Sequence, residues 1–363
     1  MASGKIKILA ATKKSINRWS RYYNMISHKG IYHCPHYIKA LEKHSGNSAE
    51  LFIFEINNSN FVYYPYLKRS LEKLPFAKDC ESFTHGYFDI DSSWYYGGPL
   101  IQSEHPTLND ELAILFATAF SDYCETSKIV SEFIRFDPTL LNHEYFKNLL
   151  PLNRNRETVY IDLTQSEEDI WMNMEGRART AIRKARKTGI KVHVSQKKED
   201  LLKFCDIYAL EMERKAALSH YRFNRQFIMQ LFDAVGQRIQ LVYAEINGTF
   251  ISGGIFIYEF GQAVHYFLMA TRHDYRHNQA NNLIIYEALR FFKDKGVKIF
   301  DLQGGREGVF KFKKSFSKNR SPFFTSGIVR NKKVYDTLVK TKYHYLGSKE
   351  DNFFPLYRLK ESN

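Results

Sequence analysis

A chain of 363 residues is too long for one average hydrophobic core and suits two domains. Apolar residues at 44% and aromatics at 15% supply packed interiors for both, which excludes a disordered chain outside the termini. Lys and Arg outnumber Asp and Glu by 53 to 39, a formal charge of +14 that draws anionic partners: nucleic acid, a diphosphate-linked substrate or anionic lipid headgroups.

The opening MASGKIKILAATKK lacks the sustained apolar stretch of a signal peptide. No apolar run approaches the roughly 20 residues needed to cross a bilayer, so the expected location is the cytoplasm. Four scattered cysteines, Cys34, Cys80, Cys124 and Cys205, form no CxxC. His33-Cys34-Pro35-His36 is a clump of ligand types without a second pair, so buried thiols are expected rather than a zinc site.

In the first half, ELFIFEI (50–56) and NFVYYPYL (60–67) flank Asn57-Asn58-Ser59 as a hairpin. A helical pattern covers 108–126, and KIVSEFIRF (128–136) reads as a strand. A polar, basic stretch opened by a proline, Pro151–Arg156, marks a boundary. Beyond it, Thr164 and Glu167 have capping-box spacing for a helix start. From Ala178 on, Ala178, Ala181, Ile182 and Ala185 fall in one narrow arc, while Arg177, Arg179, Arg183, Lys184, Arg186 and Lys187 take the rest with no acid among them. Solvated helices usually interleave acids for i,i+4 pairs, so this helix is expected to bind anions.

Next come a strand at 190–194, helices over 197–216 and 224–235, and strands at 239–246 and 249–259 joined by Asn247-Gly248, a strong hairpin signal. A strand at 263–270, a helix at 281–296 closed by Gly296 and an apolar strand at 297–303 complete the set. The first half repeats this order more faintly, so the chain reads as two copies of one α/β unit. The tail after about residue 330, with Tyr335, Tyr343, Tyr345, Phe353, Phe354 and Tyr357, is expected to pack against a domain.

The strand at 297–303 ends in Asp301-Leu302-Gln303-Gly304-Gly305-Arg306 and opens onto the Phe- and Lys-rich segment 309–316. Gly304 and Gly305 permit positive φ and close backbone approach to a ligand, and ligands gather beyond the carboxyl ends of such strands. There is no GxSxG, P-loop, HExxH or dinucleotide fingerprint. His265, His273 and His277 fit no common metal-ligand spacing, so no metal is expected.

Three ordered blocks, at 66–101, 158–192 and 280–316, resemble the Fem family of peptidoglycan-bridge aminoacyltransferases and related tandem-GNAT proteins. The resemblance implies an α/β (α+β) fold of two tandem GNAT-like domains, each a mixed, mainly antiparallel sheet flanked by helices. Residues 1–152 would form the first, with 331–363 packed on it, and 153–330 the second. It implies a transferase in cell wall biogenesis that takes an aminoacyl group from aminoacyl-tRNA, with an amine of a phosphate-bearing, nucleotide- or lipid-linked envelope precursor as acceptor. No tightly bound cofactor and no obligate protein partner is implied, and transient contact with an anionic membrane surface fits the charge.

By the same resemblance, Phe312 and Lys313 fall on the family's Phe-Lys pair, whose Lys stabilises the charge formed when the amine attacks the ester carbonyl. Tyr266 falls on an aromatic-hydroxyl position near the substrate. Asp301 falls on a strand-end Asp that serves catalysis or caps the adjacent loop. Arg214, Arg183 and Lys184 would hold substrate phosphate, with Arg276, Gly304, Gly305 and Arg306 completing the binding set.

The coenzyme A loop of ordinary GNAT enzymes carries glycines that Arg276–Asn281 lacks. The alternative nevertheless stays open: an acyl-CoA-dependent N-acyltransferase acting on an amino sugar or lipid in surface-polysaccharide biosynthesis. A basic nucleic-acid-binding protein is a third class, disfavoured by the absence of any recognised binding module.

Overall fold

The computed structural model describes residues 4–216, 222–346 and 353–358. Close contacts divide the chain into two units, Met1–Asn155 with Phe323–Asn363, and Arg156–Pro322.

In the first unit, β1 (Lys5–Ala10) is followed by α1 (Ile16–Met25) and α2 (Pro35–Ser45). The antiparallel hairpin of β2 (Ser48–Asn57) and β3 (Asn60–Ser70) comes next, then the short α3 (Glu81–Thr84), β4 (Phe88–Asp91) and β5 (Leu100–Gln102). Helix α4 (Asn109–Thr126) crosses over to β6 (Ile129–Arg135), which runs parallel to β4. A parallel neighbour demands such a crossover, because a tight turn can only reverse the chain. Phe52, Tyr64, Tyr66 and Ile90 of the sheet pack against Leu112, Phe116 and Phe120 of α4.

The second unit repeats the order. It contains β7 (Asn153–Asp162), α5 (Glu167–Asn173), α6 (Gly176–Lys187), β8 (Lys191–Ser195), α7 (Lys198–Arg214) and α8 (Arg225–Val235). The meander β9 (Ile239–Ile246), β10 (Thr249–Tyr258) and β11 (Ala263–Thr271) then leads through α9 (Ala280–Asp294) to β12 (Ile299–Gln303), followed by α10 (Glu307–Lys314). The hairpin between β9 and β10 turns on Asn247 and Gly248, both at positive φ (50° and 74°), as the sequence predicts. The sheet order is β8-β9-β10-β11-β12-β7, antiparallel except for β11–β12.

Strand for strand, β1, β2, β3, β4 and β6 match β8, β9, β10, β11 and β12, which makes the two units copies of one topology. The last position is filled crosswise. In the second unit it is β7, which precedes the repeat. In the first it is β13 (Arg320–Val329), whose Thr325–Val329 pair antiparallel with β6 after the chain has traversed the second unit.

The tail continues as α11 (Lys332–Leu346). Tyr335 and Leu338 of α11, with Tyr357, are buried against Leu71 and Val130 of the first unit. The side chain of Tyr345 lies outside the described set.

One local expectation is corrected. The helix start near Thr164 is set by Ser166, whose Oγ accepts from the Asp169 N–H, while Thr164 bonds back to Asp162. The chain then breaks at Met174 and Glu175, so the basic helix α6 is a separate element from α5. Among the described residues, no helix is long and apolar enough to cross a membrane.

Candidate active site

The site grows out of the parallel strand pair β11–β12 of the second unit. β11 and β12 are in register over only three pairs, Ala263 with Ile299, Val264 with Phe300 and His265 with Asp301. β11 continues to Thr271 and β12 turns away after Gln303, so their ladder opens beyond the last pair. Open backbone edges at the carboxyl end of parallel strands are where α/β sheets accept ligands.

The turn after β12 departs from expectation. The left-handed residue is Gln303 (φ 63°), while Gly304 and Gly305 do not adopt positive φ. Their reason for being glycine is space. A Cβ on Gly305 would come within 2.9 Å of Val309 Cγ1, and one on Gly304 within 3.2 Å of the Glu157 carbonyl. Asp301 holds the bend: its Oδ1 accepts the Gln303 N–H at 2.8 Å, and its Oδ2 lies 2.9 Å from His265 Nδ1. Of the two roles weighed for Asp301, the geometry displays the loop-capping one.

That bend aims the Gly304 carbonyl at Lys313, whose ammonium donates to it at 2.7 Å. The same Nζ stands 4.6 Å from the centre of the Tyr266 ring, within cation–π range. Lys313 is only 4% exposed, on a short helix whose other lysines, Lys311 and Lys314, face solvent. Burial pulls its ammonium down to about 8, against the opposing pull of the Asp301 charge. Burial likewise raises the Tyr266 phenol, which keeps it neutral at physiological pH. Lys313, Tyr266, Asp301 and Gly304 therefore form one cluster. Phe312 lies beside it, half-buried and edge-on to Phe316 at 5.2 Å, and Arg306 is exposed at the N-terminus of α10.

Arg214 and Arg276 are brought together elsewhere in the unit. Both engage the buried carboxylate of Glu211, as does Lys215 at 2.7 Å, and the three cations remain 39–49% exposed. Three cations on one carboxylate leave a positive surplus at the surface, and these cations together hold Glu211 below its usual range against desolvation. Arg183 and Lys184 are exposed on α6, and among the described residues no hydrogen bond or ion pair links them to the Lys313 cluster. Arg183 lies over Trp171 (5.3 Å) and Arg186 over Tyr286 (4.9 Å). Arg177 and Arg179 bond carbonyls of neighbouring segments, so part of the helix's charge has local partners.

A surface groove of about 380 Å³ is lined by Glu167, Glu168, Trp171, Arg186 and Tyr286 and does not include Lys313. All four cysteines are buried thiols.

The residues missed from the sequence are His265 and Glu211. Along the chain His265 groups only with His273 and His277, whereas its parallel register with Asp301 makes it that carboxylate's partner. Glu211 carried a signal in its i+3 and i+4 spacing to Arg214 and Lys215.

A family model described as an acetyltransferase (GNAT) domain matches residues 173–314. Among solved structures, the chain is similar to FemX at 13% identity and a TM-score of 0.69, covering 91% of this chain and 99% of that one. It is similar to the C-terminal domain of an Agrobacterium fabrum protein named for lysylphosphatidylglycerol synthesis, at 12% identity and a TM-score of 0.54, covering 91% and 98%. A third is L-PGS from Bacillus licheniformis, at 10% identity and a TM-score of 0.52, covering 94% and 98%. No curated protein matches.

Proposed function

From the premise of an acyltransferase with the Fem-like tandem GNAT fold, we propose that this chain moves an aminoacyl group from aminoacyl-tRNA to an amine of a nucleotide- or lipid-linked envelope precursor. The observation that carries the reading is the buried Lys313 ammonium, seated on the Gly304 carbonyl and the Tyr266 ring where β11 and β12 separate. One structural neighbour is named for joining a lysyl group to a lipid, which supports aminoacyl transfer. Donor and acceptor would both be polyanions, in keeping with a chain of charge +14.

An aminoacyl ester is already activated, so the enzyme needs orientation, charge stabilisation and a path for one proton. The neutral amine attacks the ester carbonyl, a C–N bond forms, and the carbonyl oxygen becomes negative. Lys313 spends one N–H on Gly304, which leaves donors for that oxygen in a site poor in water. With its pKa at about 8, it is mostly a cation at neutral pH and acts as a fixed charge rather than a base. The C–O bond then breaks, and the amine proton passes to the departing ribose oxygen. Arg214 and Arg276, gathered at Glu211, are assigned to substrate phosphate, with Arg183, Lys184 and Arg306 offering further positive charge.

The acyl-CoA reading is favoured by one observation. Gln279, just before α9, holds φ at 60°, so the loop keeps a left-handed bend of the kind glycine usually supplies there. The test supplies purified protein with tRNAs charged with labelled amino acids and with UDP-linked or lipid-linked amine acceptors. Label should move to the acceptor and the movement should stop when the donor is pretreated with ribonuclease. Transfer from acetyl-CoA or longer acyl-CoAs alone would replace this reading with the alternative.

A further inference from the structure

His265 is fully buried, so no substrate can touch it, yet it sits one residue from Tyr266 and in register with Asp301. Successive strand residues point to opposite faces, which places His265 behind the face that Tyr266 presents to Lys313. Its Nδ1 lies 2.9 Å from Asp301 Oδ2 at the last rung before β11 and β12 part. The other oxygen of Asp301 fixes the Gln303 N–H at 2.8 Å, in a left-handed bend that a glutamine adopts only when its surroundings impose it. The next carbonyl, Gly304, is the seat of Lys313.

We propose that His265 is a positioning residue for acyl transfer: through Asp301 it holds the Gln303–Gly304 bend that seats the Lys313 ammonium. The proposal rests on the reading above only in taking Lys313 as the group at the reacting carbonyl. Without the clasp, Asp301 is free to turn, the bend relaxes toward extended backbone, and the ammonium loses its fixed direction. A displacement of about 1 Å at such a group costs on the order of 100-fold in rate.

The experiment compares His265→Asn, whose amide nitrogen falls near the Nδ1 position, with His265→Gln, whose amide reaches toward Nε2. Turnover is measured with the labelled aminoacyl-tRNA and amine acceptor, after circular dichroism has confirmed folding. The expected result is a kcat about 10- to 100-fold lower for the Gln variant with KM little changed. The Asn variant should keep most of the rate, which a purely volume-filling role would not predict. In a Lys313→Ala background, His265→Gln should cost nothing further, because both changes remove one function.

Equal rates for the two His265 variants, or an undiminished loss in the Lys313→Ala background, would overturn the proposal while leaving the transfer reading intact. A Lys313→Ala enzyme at wild-type rate would instead remove the reading beneath it. Should His265→Gln fail to fold, Asp301→Asn runs the same cycle from the other side of the clasp.

Discussion

Lys313 is held at a cost to stability, and replacing it with methionine should expose that cost. A fall of its pKa from 10.5 to about 8 means that burying the charged form costs about 3 kcal/mol relative to the neutral one. Methionine matches the length, carries no charge and tolerates an irregular cavity. Against the gain stands the Gly304 carbonyl, which loses its donor at a cost of about 1–2 kcal/mol.

The Lys313→Met variant should therefore be more stable than the parent by about 1–2 kcal/mol at pH 7. The advantage has a defined pH window. Between about 8 and 10.5 the folded parent has released the Lys313 proton and the unfolded chain still binds it, so parent stability rises with pH across that interval. The variant lacks this rise, so its advantage should vanish at about pH 9 and become a deficit of about 1–2 kcal/mol by pH 10.5, the cost of the Gly304 carbonyl left without a donor. Urea unfolding of both proteins at pH 7 and at pH 10.5 measures the difference directly, since other titrating groups cancel between them. A variant less stable than the parent at pH 7, by an amount unchanged at high pH, would show that Lys313 is a structural cation and refute the argument. Activity should fall meanwhile by on the order of 100- to 1,000-fold.

Four further outcomes follow from the same geometry. Transfer that needs the Lys313 cation should decline as pH rises through about 8, read from kcat against pH. Gln279→Gly, at a left-handed position before α9, should raise stability by about 0.5 kcal/mol in thermal or urea unfolding. Asp89→Ala should destabilise the first unit by about 3 kcal/mol, since it takes the carboxylate from the partly buried Arg358 and leaves Arg69 with Asp91 alone. Those arginines hold the Asp89 carboxyl below its ordinary range, so its contribution persists above about pH 4 and is lost as acid titrates it. Thiol reagents should leave the native protein almost untouched at pH 7 and modify four cysteines after denaturation, because burial raises thiols such as Cys205, pushed up to about 11.

Local signals made much of the second unit legible. Asn247-Gly248 specifies its turn through the positive φ both residues accept, and the apolar spacing of Leu283, Ile284, Leu289 and Phe292 specifies α9. The first unit was fainter because β1 is an exposed edge strand, with Ile6 and Ile8 nearly half exposed, and has no buried face to impose alternation. The phosphate-binding assignments stand on residue type and order. What each guanidinium touches was invisible, so the convergence of Arg214 and Arg276 on Glu211, from α7 and the loop before α9, came as a result of folding.

Lys313 itself could be picked out along the chain, as the second member of a Phe-Lys pair in a lysine-rich run. Its neighbours Lys311 and Lys314 carry the same charge on the same short helix, and only the fold, which sets Lys313 against the Gly304 carbonyl and the Tyr266 ring, buries one of the three. The His265–Asp301 clasp and the crosswise supply of β7 and β13 have the same cause. Periodicity and turn chemistry act over a few residues and are written into the chain. The pairing of strands 36 residues or two hundred apart depends on which register buries the most apolar surface, a property that exists only once the sheet has closed.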